Sequence, residues 1–277
     1  MCKVLSVSET GYYKWLRNGP TKYKWQIIMP FIYAILNEHP DNANYGVARM
    51  KIALEQHGVH VSASTVRKAM NSANLLKPSH RSPNGLTKAD KKALRPKDLL
   101  KMDFRATEPG KKFLTDITVI PCKNGKLYVS PILDCFSGEI VSLTMDTNMK
   151  KELCIKTVED MYKRIHPKDG WLLHSDAGSQ YTSWAFRKTL GKLRAVQSMS
   201  DAGSAYGYCR MESFFATLKK EKIYQIDTEK LTVRQVKRIV WRYVMGYYNR
   251  FRITTTNAAG LPPSICREKW ELKRNAA

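Results

Sequence analysis

The sequence predicts an α/β chain, a mixed five-stranded sheet with helices on both faces, preceded by a small all-α helix-turn-helix module. Three observations carry this prediction. From Phe113 apolar residues recur at every second position over three successive segments; beyond Lys151 helical and strand-like segments alternate; and the elements legible within residues 1–75 have helical spacing broken by glycine.

In chain order, Val7 to Leu16 reads as a short helix with a polar start at Ser8. A longer helix from Tyr45 to His57 carries Val47, Met50, Ala53 and Leu54 at near-helical spacing and stops at Gly58. After the turn, Thr65 to Asn74 places Val66, Ala69 and Met70 on one face and leaves Arg67 and Lys68 outside. Helix, glycine turn and second helix form a helix-turn-helix pattern, which would set the second helix in a DNA major groove. Two packed helices with a solvated basic face would look the same. Residues 76–108, with Pro78, Pro83, Gly85 and Pro96 among many lysines, suit a basic linker.

The core is expected over residues 109–225. Phe113 to Ile120, Leu127 to Cys135 and Glu139 to Met145 read as strands joined at Asn124-Gly125 and Ser137-Gly138. Then come a helix Glu152 to Ile165, a strand Trp171 to Ser175, a helix Trp184 to Leu193, a strand Ala195 to Met199 and a helix Arg210 to Lys222. A meander followed by alternating helices and strands implies a mixed sheet covered on both faces. Pro131 falls inside an interior strand, where it lacks a ladder donor and implies a bulge. Residues 226–277 read as a helical extension packed on the core, with Val233, Val236, Val240, Tyr243 and Tyr247 on one face of its main helix.

The chain has 277 residues, enough for one sizeable core and a smaller module. An apolar fraction of 43% excludes a disordered polyelectrolyte, and the apolar runs are too short for a span of about 20 residues. Lys and Arg number 47 against 24 Asp and Glu, a net charge of +23, which asks for a polyanion. Nucleic acid fits best, because each neutralised phosphate releases counterions. Six scattered cysteines without a CxxC pair, and no opening secretory h-region, suggest a reducing cytoplasm. His57 and His60 form an HxxH with no further ligand pair, so they are read as helix-end and turn residues.

Three acids stand where a core needs a reason to hold them. Asp116 interrupts the apolar strand FLTDITVI, Asp176 closes the strand WLLHSD before the turn Ala177-Gly178-Ser179, and Glu212 lies in the helix RMESFFATLKKE. The gaps between them are 59 residues (117–175) and 35 residues (177–211). If the first and fourth strands are parallel neighbours, Asp116 and Asp176 stand side by side. Grouped carboxylates repel unless a cation of high charge lies between them, and Mg²⁺ is held by one or two carboxylates together with substrate phosphate. Two such ions serve in-line phosphoryl displacement. Lys219, two helical turns beyond Glu212 on the same face, could hold a phosphate. Taken singly, each acid could equally be a surface or capping residue. His174 shares a strand face with Asp176 and is either near the ions or a core histidine; Asp134 is read as a turn-end residue.

The segments LTDIT, LDCFSGEIV, HSDAGSQYTS and MESFFATLKKE, in this order and spacing, resemble bacterial insertion-sequence DDE transposases with the retroviral-integrase-type catalytic core. YGVARMKIAL and DLLKMDFRATEPGKKFLTDIT extend the resemblance, more narrowly to the second-reading-frame product of two-frame elements. The resemblance implies an RNase H-like fold, with Asp116, Asp176 and Glu212 as catalytic metal ligands for two Mg²⁺ or Mn²⁺ ions. It implies DNA contacts by Lys219, Lys220, Gln180, Arg67 and Lys68. It further implies cleavage at element ends and 3′-hydroxyl strand transfer. The implied partners are terminal inverted repeats and target DNA, an upstream-frame helix-turn-helix product, possible as a fusion, and further copies of the chain. Asp201, Ala177 and Pro131 depart from the family pattern and leave open an inactive DNA-binding repressor of the same descent.

Overall fold

The computed structural model describes residues 2–19, 23–77, 97–101, 103–200, 209–257 and 259–276. The chain divides into two compact units, Met1–Ser79 with Ala258–Gly260, and His80–Asn257 with Leu261–Ala277.

The first unit is helical: α1 (Glu9–Asn18), α2 (Lys24–Ile27), α3 (Met29–Glu38), α4 (Val47–Gln56) and α5 (Ala63–Ser72). Ser8 starts α1 by accepting from Gly11 N–H, and Ser62 starts α5 by accepting from Thr65 N–H. The expected pair of helices is therefore present as α4 and α5, joined at Gly58, whose φ of +75° is a conformation that favours glycine. Ile32 and Ile35 of α3, Met50 and Leu54 of α4, and Val66 and Met70 of α5 are all fully buried. α3 was not legible in the sequence, since nearly all of MPFIYAILNE is apolar and no polar face marks the helical period. His57 closes α4, with Nδ1 on the Ala53 carbonyl and Nε2 on Glu38 Oε1, both at 2.8 Å, the helix-end role expected of it.

The second unit is built on β1 (Lys112–Thr115), β2 (Thr118–Cys122), β3 (Gly125–Asp134), β4 (Ile140–Asp146), α6 (Lys151–Ile165), β5 (Leu172–Ser175), α7 (Ser179–Thr182), α8 (Trp184–Lys192), β6 (Val196–Met199), α9 (Cys209–Glu221), α10 (Val233–Trp241) and α11 (Pro263–Asn275). The six strand segments form one sheet in which β1 and β2 lie on one edge of β3 and β4 on the other, with β5 and β6 continuing beyond β1. The sheet is thus five strands wide, as expected, but the strand expected over Phe113–Ile120 is two segments. β1 ends at the pair Thr115↔Ile132 and β2 begins at Thr118↔Val129. Counting across that register, Asp116 falls opposite Pro131, which has no N–H to offer a neighbour. The ladder breaks where the proline removes a rung, and the break leaves Asp116 outside regular pairing. The bulge expected near Pro131 appears as a register shift between Ile132 and Leu133 on the β4 side.

Phe113, Ile132, Leu173 and Met199 of the sheet bury against Val158 and Met161 of α6 and Phe186 and Leu190 of α8. Trp171 meets Phe113 edge-on at 5.6 Å. Helices lie on both faces of this mixed sheet, the RNase H-like architecture expected from the sequence. The stretch after residue 96 is bound to this unit and is not a free linker: Leu99 N–H donates to Ser198 Oγ at 2.9 Å, Leu100 is buried, and Lys112 reaches Asp103. Pro78, Pro83, Gly85 and Pro96 lie outside the described residues.

The extension differs from a single regular helix. α10 starts with a Thr232–Gln235 capping box, but Arg242–Tyr248 is π-helical. Tyr243 and Tyr247 are buried on the face expected of them, and the i→i+5 turns bring Tyr248 into a buried position as well, which the 3.6-residue period does not anticipate.

Candidate active site

Leu114 of β1 pairs in parallel with His174 of β5. Asp116 and Asp176 each lie two residues further on, so they emerge abreast at the same end of adjacent strands. Each carboxylate is steadied by the backbone just after it: Asp116 Oδ1 accepts from Ile117 N–H at 2.7 Å, and Asp176 Oδ1 from Gly178 N–H at 3.0 Å. Gly178 is required by this fold-back, because a Cβ there would meet Asp176 Oδ1 at 2.8 Å.

Burial and then the charge of Asp176 push Asp116 up to about 7, against the pull of Ile117 N–H; Glu212 adds a smaller upward push and Lys219 a downward one. Burial likewise holds Asp176 above the ordinary carboxylate range. Beneath the pair lies Tyr181, fully buried, its hydroxyl 3.4 Å from Thr115 Oγ1, which itself donates to the Pro131 carbonyl. Burial, the neighbouring Cys154 and then Asp116 keep the Tyr181 phenol protonated well beyond its usual range.

Glu212 is exposed on the first turns of α9, and Lys219 is half-buried further along the same helix. Both lie near enough to Asp116 to act on its charge. The helix is held down by Met211, Phe214, Phe215 and Leu218, all buried. Among the described residues no three His, Cys, Asp or Glu side chains form a ready-made metal cage. The donor set is nevertheless right for a hard cation: two adjacent carboxylates, all oxygen, both with raised proton affinity. This suits Mg²⁺, which takes few protein ligands and completes its shell with water and phosphate.

The remaining expected site residues divide. Arg67 and Lys68 are exposed on α5, and Lys220 is exposed on α9. Gln180 donates Nε2 to the Met149 carbonyl at 3.0 Å, so its amide ties the loop before α6. His174 is a core histidine, 1% exposed, with Nδ1 on Ser198 Oγ at 2.9 Å and 4.0 Å from Asp98. Asp134 is the turn-end residue expected, accepting from Gly110 N–H, Ser137 N–H and Ser137 Oγ. Ala177 is buried, and Asp201 lies outside the described residues. Reading the sequence missed Tyr181, whereas the stripe Met211, Phe214 and Leu218, which the helical spacing predicts as the face pinning this helix to the sheet, is buried. Tyr181 stood in the quoted motif HSDAGSQYTS, but nothing in one sequence says which motif residue points down into the core.

Residues 106–205, which contain this sheet and both aspartates, match the model of the integrase core domain. The chain belongs to the insertion-sequence transposase family. It is 32% identical to the transposase for insertion sequence element IS904 of Lactococcus lactis, over 82% of this chain and 88% of that one. It is 27% identical to an uncharacterized 31 kDa protein of insertion element IS600 of Shigella sonnei, over 98% of each. Among solved structures, the HTLV-2 integrase catalytic core domain in complex with magnesium aligns over 59% of this chain and 99% of its own, with a TM-score of 0.46 and 16% identity. Among the described residues no helix is long and apolar enough to cross a membrane.

Proposed function

We propose that this transposase cuts DNA at the ends of its element and joins the freed 3′-hydroxyl to a target strand, with Asp116, Asp176 and Glu212 as the ligands of two divalent ions. The observation that carries this reading is the parallel register that sets Asp116 beside Asp176, with the proton affinity of Asp116 raised by burial and by its neighbour. Two carboxylates kept this close and half-buried are poorly disposed to ionise together without a cation. The ions, when bound, would activate the attacking oxygen and stabilise the leaving oxygen.

The chain's own residues supply the positioning. Gly178 N–H fixes the Asp176 carboxylate, Ile117 N–H fixes that of Asp116, and α9 carries Glu212 near enough to act on the charge of Asp116. Lys219 offers a charge to a phosphate oxygen, with Lys220 beside it on the same helix. In the first reaction the oxygen of water bonds to phosphorus and the 3′ oxygen leaves as a hydroxyl. In the second, that hydroxyl oxygen bonds to a target phosphorus and displaces the target's own 3′ oxygen, with no covalent protein intermediate.

The substrates are the element's terminal inverted repeats and target DNA, consistent with a net charge of +23. Arg67 and Lys68, exposed on the second helix of the α4–α5 pair, suit contact with the repeat. Partners are further copies of this chain and an upstream-frame helix-turn-helix product, and the site of action is the bacterial cytoplasm, on the nucleoid.

The test is a purified chain incubated with a duplex copied from the terminal inverted repeat flanking its gene. In Mg²⁺ or Mn²⁺ the duplex is nicked and joined; retention of that activity by Asp116→Asn would overturn the reading. The repressor alternative gains no support from Pro131, which the sheet accommodates at the β1–β2 break.

A further inference from the structure

α9 carries both Glu212 and Lys219, so its rotation and axial position decide where those groups meet the aspartate pair. Its apolar anchors, Met211, Phe214, Phe215 and Leu218, hold it to the unit but are non-directional. Directional contacts lie at its two ends. In the first turn, Arg210 Nη1 donates to the carbonyls of Phe104 and Cys135. At the last residue, Glu221 receives a bidentate pair from Arg252, Nε to Oε2 at 2.9 Å and Nη2 to Oε1 at 2.8 Å, and a third bond from the Tyr243 hydroxyl at 2.8 Å.

The receiving side is itself fixed. Tyr243 and Tyr248 belong to the π-helical segment, Tyr248 packs edge-on against Phe214 at 5.1 Å, and the Arg252 guanidinium lies 5.5 Å from the Tyr248 ring centre. Next in sequence, Asn249 grips the sheet by accepting from Ile140 N–H and donating to the Ile140 carbonyl, each at 3.0 Å. A continuous chain of hydrogen bonds therefore runs from the start of β4 through Asn249 and its helix to the end of α9. Glu221 is 7% exposed and the Arg252 side chain 12%. A buried ion pair is a weak source of net stability, since well-packed apolar side chains do as well or better. Its bidentate geometry, however, admits one orientation only.

We propose that Glu221, Arg252 and Tyr243 form a buried clamp that sets the position of α9, and thereby of Glu212 over Asp116 and Asp176, making them positioning residues of the strand-transfer centre. The clamp acts at a distance: Glu221 lies nine positions beyond Glu212 (221 − 212), about 13 Å along the helix axis. This inference rests on the catalytic reading of Glu212 given above.

The test uses the full chain and two readouts: Mn²⁺ binding followed by electron paramagnetic resonance without DNA, and metal-dependent cleavage of the inverted-repeat duplex. Glu221→Gln and Arg252→Met should raise the Mn²⁺ half-saturation several-fold and lower kcat about 10²-fold, as misplacements near 1 Å do, with KM for the duplex unchanged. Arg252→Lys should recover part of both. Tyr243→Phe, which keeps its ring and its packing, should show a smaller shift in the same direction and covers the case in which a charge variant does not fold. Wild-type Mn²⁺ binding and kcat in folded Glu221→Gln and Tyr243→Phe, alongside an inactive Glu212→Gln, would overturn the clamp alone. An active Glu212→Gln would instead overturn the catalytic reading beneath it.

Discussion

Asp116 and Asp176 stand abreast because Leu114 and His174, two residues before each, are register partners in adjacent parallel strands. Sixty positions of sequence separate the two carboxylates (176 − 116), yet the strands that lead to them are direct neighbours in the sheet. The consequences of that closeness can be measured.

Without divalent ions, the pair should make the chain less stable as pH rises. The folded chain holds a proton on Asp116 up to about 7, whereas the unfolded chain releases it near 3.8. Between those values the folded state binds more protons than the unfolded one, so stability falls with rising pH and levels off above about 7. Asp116→Asn, which cannot ionise, should melt at a higher temperature than wild type at pH 8 in a chelator, with the gap closing at pH 4 and narrowing when Mg²⁺ is added. Parallel melting curves of the two proteins at all pH values would contradict this.

Gly178→Ala should damage activity with little effect on stability. The added Cβ would sit 2.8 Å from Asp176 Oδ1 and must push that carboxylate from its place. A loss of about 10²-fold in kcat is expected for such a displacement. Normal cleavage kinetics in a folded Gly178→Ala chain would show that Asp176 need not fold back on the turn.

Lys219→Ala should weaken DNA engagement in a salt-dependent way. Removing one phosphate contact lowers the slope of log K against log salt by about 0.9. Arg67→Ala with Lys68→Ala should lower the slope by up to about twice that, if both side chains reach phosphates. Binding isotherms of the inverted-repeat duplex at several salt concentrations decide; an unchanged slope removes the residue in question from the interface.

Glu139 offers a stability test remote from the site. Its carboxylate is fully buried, burial holds it above the ordinary glutamate range, and Arg267 and Arg164 compensate from 3.1 and 2.8 Å. Arg267→Met leaves a buried carboxylate with one half-exposed partner, a loss of about 3 kcal/mol. Urea unfolding would measure it; a midpoint equal to wild type would mean that Arg164 alone suffices.

Much of this protein was settled by its sequence. Period-two and helical spacing fixed the order of strands and helices from Phe113 to Glu221, because a half-buried strand or helix must alternate its apolar residues in step with its own geometry. The three spaced acids stood out because a carboxylate in an apolar strand or beside one is costly without a partner. Local pattern cannot report which strands become neighbours, and so the parallel placement of β1 beside β5 was decided by the folded sheet. The same holds for the split at Asp116, which depends on Pro131 lying across the ladder, and for the π-helical turn that aims Tyr243 at Glu221. Those contacts join residues 15 to 60 positions apart (131 − 116, 176 − 116), and only packing, which acts between whatever surfaces meet in space, chooses such pairs.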